Sequence, residues 1–340
     1  MRILYIIQAH RADRQILALL ELIFAKGNSY IVATDPAIAF DETLITAFFE
    51  GRSHSRYHVR RSLPITWGGY SQVLAWIDLL DFAARFVPEW DIVINLSGEC
   101  LPLASPERLA GLLRDVGAHG VQVAFNRFNP KPWMLGRDQF NDRCFVRVDW
   151  QTEKLSPFFA KARINDRVDA WVQPIIAPIF ADPDRSPILN WFQRTSIHCT
   201  DTYAEKLLVV RGLFPHEIER RQKFLADVSY AGGRAWFVMW RSFVEMLLKD
   251  PEFFRIVSEF EHAICPDEIA FQTYVATMAS RGVAKVWPEN LHYKDGNPLN
   301  VDDGMAGKIL DSDALFVRKV DYRQCPLLVA AAKKRVLLDR

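Results

Sequence analysis

Cysteine is scarce and scattered in this chain. Five are spread over 340 residues, an odd count with no C-x-x-C pair, so neither a disulfide framework nor a zinc site is suggested. Charge of one sign is missing as well. Lys and Arg number 42 against 41 Asp and Glu, which leaves no general attraction for a polyanion, and no nucleic-acid partner is expected. No long apolar run opens the chain: Ile3–Ile7 meets Gln8, His10 and Arg11 too early for a signal-peptide core or a membrane span, and reads as a first strand. Internal repeats and low-complexity tracts are also absent. What remains is a chain half hydrophobic by residue count, long enough to bury a large core as one extended α/β domain or one domain with an inserted subdomain.

Ile3–Ile7 shows no polar alternation, as in a strand covered on both faces, and Ile16 to Phe24 repeats Leu and Ile at helical spacing before Gly27. Tyr30–Ala33 reads as a second strand ending at Thr34-Asp35, completing the opening β-α-β unit of a nucleotide-binding sheet. Beyond Trp67-Gly68-Gly69-Tyr70, Ser71 is expected to cap a helix carrying Val73, Leu74, Ile77, Leu80 and Ala84 on one face. Asp91–Leu96 then forms a central strand that breaks into Ser97-Gly98, the kind of place where open α/β sheets hold ligands. Ser105-Pro106-Glu107 opens a helix to about Leu113, and Val121–Phe125 is a further strand. From Phe128 to Tyr230 periodicity weakens while Pro, Trp and Phe crowd in, so this stretch is expected to be an irregular subdomain. Regular patterning returns in a strand at Ala235–Met239 and a helix at Ser242–Leu248. Pro266-Asp267-Glu268 then places two acids in the first turn of an amphipathic helix running to about Ser280. Leu327–Leu338, with Lys333-Lys334-Arg335 inside it, is either a docked terminal helix or a membrane-surface contact.

Five stretches carry a family resemblance: Trp67–Ser71, Leu96–Leu103, Gly233–Phe237, Pro266–Thr273 and Phe316–Asp321. In order and spread over most of the chain, they resemble W-G-G-x-S, L-S-G-x-D-x-P-L, G-S-x-W-F, P-D-E-x-x-x-Q-T and F-A-R-K-F-D. Those motifs belong to the core-2/I-branching β-1,6-N-acetylglucosaminyltransferases and peptide O-xylosyltransferases. The resemblance implies a GT-A-like, Rossmann-like α/β fold, a mixed sheet flanked by helices. It assigns residues 1–127 to nucleotide-sugar binding, 128–230 to the irregular acceptor-side segment and 231–340 to the catalytic half. Animal relatives are anchored, disulfide-stapled Golgi proteins; this chain resembles a cytoplasmic, bacterial version, which would touch the inner membrane surface if its acceptor is a lipid-linked glycan.

Transfer from a nucleotide sugar needs a base for the acceptor hydroxyl and positive charge for the departing diphosphate. The resemblance makes Glu268 the base, with Asp267 in support. The alternative for both is plain helix capping. The family works without metal or cofactor, and its phosphate cation falls on Lys319 with Arg318 beside it; the alternative is two solvated charges. The Asp-x-Asp lookalikes Asp182-Pro183-Asp184 and Asp311-Ser312-Asp313 read as turns. Lys294 is a weak match to a second family cation. Asp35 would meet the uridine end of the donor, with His10, Trp67, Gly68 and Ser71 also on the donor side. Trp236, Arg234 and Arg241 are candidates for support, and Trp133 and Trp171 for stacking on the acceptor. Two positions depart from the family pattern: Cys100 stands where it has an aspartate and Arg234 where it has a serine.

The expectation is an inverting transfer from a UDP-sugar to a saccharide hydroxyl, leaving a β linkage, with N-acetylglucosamine the leading sugar and xylose the second. A non-catalytic saccharide-binding protein is the rival. A hydrolase using Asp267 and Glu268 as a pair is disfavoured, because neighbours in one helical turn cannot flank a bond.

Overall fold

The computed structural model describes residues 1–10, 15–36, 38–63, 65, 68–125, 128, 146–152, 206–212, 215–263, 265–287, 292–293 and 301–338. In chain order the described elements begin with β1 (Ile3–Ala9), α1 (Gln15–Ile23), β2 (Ser29–Thr34), α2 (Thr43–Glu50), β3 (Tyr57–Arg61), α3 (Ser71–Phe86) and β4 (Ile92–Ser97). After these come β5 (Leu101–Pro102), α4 (Pro106–Ala118), β6 (Val123–Phe125), β7 (Val146–Thr152), β8 (Lys206–Gly212) and α5 (Pro215–Asp227). The remainder are β9 (Phe237–Trp240), α6 (Arg241–Leu247), α7 (Pro251–Glu259), α8 (Ala270–Ser280), β10 (Val286–Trp287), α9 (Ala306–Leu310), β11 (Phe316–Val317) and α10 (Pro326–Leu338).

Seven strands form one sheet in the order β10-β6-β9-β4-β1-β2-β3. Only β9 runs against the rest: it is antiparallel to β4 and β6, while the other pairings are parallel. This is the GT-A-like mixed sheet read from the sequence. The missing alternation in β1 has a simple cause, since both faces are covered. Leu4 and Ile6 pack with α3, α7 and α8 on one side, and Ile3, Tyr5 and Ile7 pack with α1, α2 and α4 on the other. The chain steps outward from β1 to β2 and β3, then crosses back through α3 to β4 on the other side of β1, so a switch point lies at the C-terminal ends of β1 and β4.

Several boundaries differ from the sequence reading. Ser71 is the first residue of α3, and the cap position falls on Tyr70, which makes no capping bond; Gln72 Oε1 instead accepts from the Gly68 N–H at 2.9 Å. The helix opened by Ser105, whose hydroxyl accepts from the Arg108 N–H, runs past Leu113 to Ala118. Gly117 lets it pass Trp240, since a Cβ there would lie 2.7 Å from the indole nitrogen. Within 128–230, expected to be irregular, β7 and β8 pair antiparallel and α5 is a regular helix. The helix after Pro-Asp-Glu is not amphipathic: every residue from Ala270 to Met278 is buried. Its polar members serve the adjoining chain, as Thr273 and Thr277 hydroxyls accept from the Ala231 and Ser229 N–H groups. The terminal helix α10 docks through Leu328, Val329, Ala332 and Val336. Among the described residues, no helix is long and apolar enough to cross a membrane.

Candidate active site

Pro266–Glu268 is a single 3-10 turn rather than the first turn of α8. Two diverted carbonyls explain the correction. The Glu268 oxygen accepts from the Gly233 N–H at 2.9 Å and the Asp267 oxygen from Gln272 Nε2 at 3.1 Å, so neither is given to the helix. Cys265 enters the turn with φ of 47° and Ile269 leaves it at −134°. The other motif turn docks here directly: the Cys265 N–H donates to the Gly68 carbonyl at 2.8 Å, with Gly68 at φ 71°, where glycine avoids the strain of a side chain. The Gly68 motif therefore abuts the acid-bearing turn, 200 residues away in sequence, while Trp67 lies outside the described residues.

The Glu268 side chain is 13% exposed, and Arg234 Nη1 donates to its Oε1 at 3.0 Å. The next residues of that segment are set by Asn95, buried in β4, which donates to the Ala235 carbonyl and accepts from the Phe237 N–H. This clamp places Trp236 at the head of β9, beside the C-terminal end of β4.

Arg318 lies on that indole, its guanidinium 4.4 Å from the ring. Its Nε donates to Ser97 Oγ at 3.0 Å, and a terminal nitrogen lies 3.8 Å from Glu99 Oε2. Burial pulls the Arg318 pKa below its usual value, while the nearby Cys100, Glu99 and Glu268 act the other way; arginine remains a cation throughout. The segment is held by β11 pairing with β5 and by Val320 donating to the Glu99 carbonyl. Gln15 adds a staple, its amide donating to the Gly98 and Val320 carbonyls at 2.9 and 2.8 Å. Lys319 follows, half-buried, with its carbonyl accepting from the Val301 N–H.

Glu99 was missed by the sequence reading. Its side chain is 5% exposed, and His10 Nε2, at the end of β1, is 3.2 Å from its Oε2. His292 was missed too. It is buried between Trp236 and Phe316, with Nε2 3.5 Å from Cys100 Sγ, and burial lowers its pKa to about 3. Burial likewise raises the Cys100 thiol. The only available signal for Glu99 was its place at the end of a buried strand; nothing in the sequence marked His292.

His10, Gly68, Arg234, Trp236, Asp267, Glu268 and Arg318 thus lie around the switch point, and Asp35 closes the neighbouring β2, its N–H donating to the Ala9 carbonyl. Arg241 does not belong there. The β4–β9 register sets Trp240 opposite Ile92, at the start of β4, and Arg241 pairs with Glu245 at 2.8 Å in its own helix. Asp311 and Asp313 are exposed in a turn after α9. Trp133, Trp171, Asp182, Asp184 and Lys294 lie outside the described residues.

The family profile of the core-2/I-branching enzymes matches residues 3–135 and 183–303. A search of curated proteins found no significant match. Among solved structures the chain is similar to mouse xyloside xylosyltransferase 1, at 9% identity over 93% of this chain and 97% of that one, with a TM-score of 0.38. It is also similar to a CMP:2-keto-3-deoxy-manno-octonic acid synthetase complexed with CTP, at 12% identity, 84% and 89% coverage and a TM-score of 0.32. A third likeness is to the WbbM bifunctional glycosyltransferase, at 12% identity over 98% of this chain but only 44% of that one, with a TM-score of 0.34. These structural likenesses are too loose to align site residues.

Proposed function

The chain belongs to the core-2/I-branching enzyme family and is a glycosyltransferase, and from that premise we propose that it moves N-acetylglucosamine from a UDP-sugar to a saccharide hydroxyl, with inversion to a β linkage and without metal. The observation that carries this reading is the convergence around Trp236 of a paired acid, Glu268, and a tied cation, Arg318. An acceptor hydroxyl gives its proton to Glu268 as its oxygen attacks the anomeric carbon. The bond to the diphosphate breaks on the opposite face, and UDP leaves with the electron pair. Arg318 and Lys319 supply the charge that meets the diphosphate, the part a divalent ion plays in other sugar transferases. The Arg318 side chain is still 22% open to solvent.

Asp35 takes the uridine end of the donor, with His10, Gly68 and Ser71 also on the donor side. For a lipid-linked acceptor, α10 is the membrane-facing element, because Leu337 and Leu338 are exposed beside Lys334.

The test is UDP release from a panel of UDP-sugars with EDTA present. Turnover of UDP-N-acetylglucosamine in EDTA is the expected result. Turnover of UDP-xylose alone would reassign the donor, and activity lost to EDTA and restored by Mn²⁺ would end the metal-free mechanism.

A further inference from the structure

Arg234 stands where the family pattern has serine, yet it is built into the site from three directions. Its guanidinium meets Glu268 at 3.0 Å with the two side chains 18% and 13% exposed. Its carbonyl accepts from Gln272 Nε2 at 3.2 Å, and the same amide nitrogen holds the Asp267 carbonyl at 3.1 Å. The preceding Gly233 N–H donates to the Glu268 carbonyl. Arginine and glutamate therefore move as one unit, tied by backbone as well as by charge. An ion pair this enclosed gives up hydration that its attraction only partly restores, so stability alone does not explain it.

We infer that Arg234 is a positioning residue for the base: it holds one carboxylate oxygen of Glu268 so that the other faces the acceptor hydroxyl. The inference rests on the reading of Glu268 as the base. Among the described residues, the charged groups beside the pair include Asp267, next to Glu268 in the same turn, and Arg318, which lies near enough to interact with both members. Arg318 is anchored on Ser97 and Glu99, so it does not replace Arg234 as the orienting partner. A serine at 234 would be too short to reach the carboxylate in this way, and a lysine would keep the charge but lose the rigid planar fork.

The experiment is a kinetic double-mutant cycle on the full chain. It follows UDP release from UDP-N-acetylglucosamine, with UDP-xylose as second donor, and measures UDP affinity by calorimetry. R234M and R234S should lower kcat by about 10- to 100-fold, the scale of a misplaced catalytic group, with donor KM and UDP affinity unchanged. R234K should recover part of the loss, and R234M/E268Q should be no slower than E268Q alone. A UDP affinity that falls in R234M would make Arg234 a donor ligand and overturn the inference. So would an R234M/E268Q variant slower than E268Q by the full R234M factor. If E268Q itself keeps wild-type turnover, the base reading fails, and the inference with it. Should neither donor be turned over, the same cycle read by thermal unfolding decides: strictly additive losses would show the pair uncoupled and remove the claim.

Discussion

The two ends of the parallel strands both carry ion pairs, and the contrast between them separates function from decoration. At the N-terminal end, Arg2 and Arg56 each meet Glu89 at 2.9 Å, and all three side chains are more than 40% exposed. At the C-terminal end, Glu99, Arg234, Glu268 and Arg318 are 5–22% exposed and converge from four separate stretches of sequence. Exposed pairs are worth about 0–1 kcal/mol and are easily gained or lost. Enclosed ones cost hydration and are kept where charge is used. The buried end is therefore the one where substitutions should be felt in catalysis.

The sharpest way to break the comparison is Glu268→Gln. Turnover should fall by roughly 10² to 10⁴, the usual worth of a general base, while UDP affinity holds. Wild-type turnover in this variant would take Glu268 out of the chemistry. Next comes Arg318→Ala, expected to weaken UDP binding by about 1.5–3 kcal/mol, as for a charge-assisted contact. Lys319→Ala tests whether the second cation shares the load. Calorimetry with UDP ranks the two, and an unchanged affinity in both would leave the diphosphate without a cation here.

The buried end should also respond to acid in a way the exposed end does not. His292 is held neutral by burial, its pKa lowered to about 3 from an ordinary 6.5. The folded state thus binds this proton less readily than the unfolded state. The contribution is complete above pH 6.5 and is lost as pH falls from there towards 3. Between pH 6.5 and 4.5 the loss is about 2–3 kcal/mol. Urea unfolding of the wild type and of His292→Gln across that range measures it, because the difference in slope isolates the one histidine. Parallel curves would mean that His292 takes up its proton as readily in the folded protein as in the unfolded chain.

How much of this was legible depends on whether the signal was local. Strands β1, β2 and β4 are short apolar runs that need both faces covered, and their sequences say so. Strand β3, reading Tyr-His-Val-Arg-Arg at the sheet edge, has no such run and went unseen. The Pro-Asp-Glu turn looked like a capped helix because its carbonyls are claimed by Gly233 and Gln272, partners that no local pattern reveals. Glu268 and the Arg318-Lys319 pair became candidates through motif likeness. The clustering of Arg318 with Ser97 and Glu99, and the burial of His292 behind Trp236, come from β5–β11 pairing and chain crossings hundreds of residues apart.

The smallest expected effect is the cleanest test of position against pattern. Arg241 matches a family arginine in sequence, and on that ground it was a candidate for supporting the site. In the fold it sits at the opposite end of β9, its Nε on Glu245 at 2.8 Å and a terminal nitrogen donating to the Pro88 carbonyl at 2.7 Å. The Arg241 and Glu245 side chains are 32% and 42% exposed, so solvent screens most of their attraction. Arg241→Ala should therefore cost no more than about 1 kcal/mol of stability, partly through loss of the guanidinium's place over the Trp90 ring, 5.4 Å from its centre. Its kcat, donor KM and UDP affinity should match the wild type. A tenfold loss of UDP affinity with an unchanged melting temperature would mean that charge at the far end of the sheet reaches the donor, and the division of the molecule into a working end and an exposed end would fail.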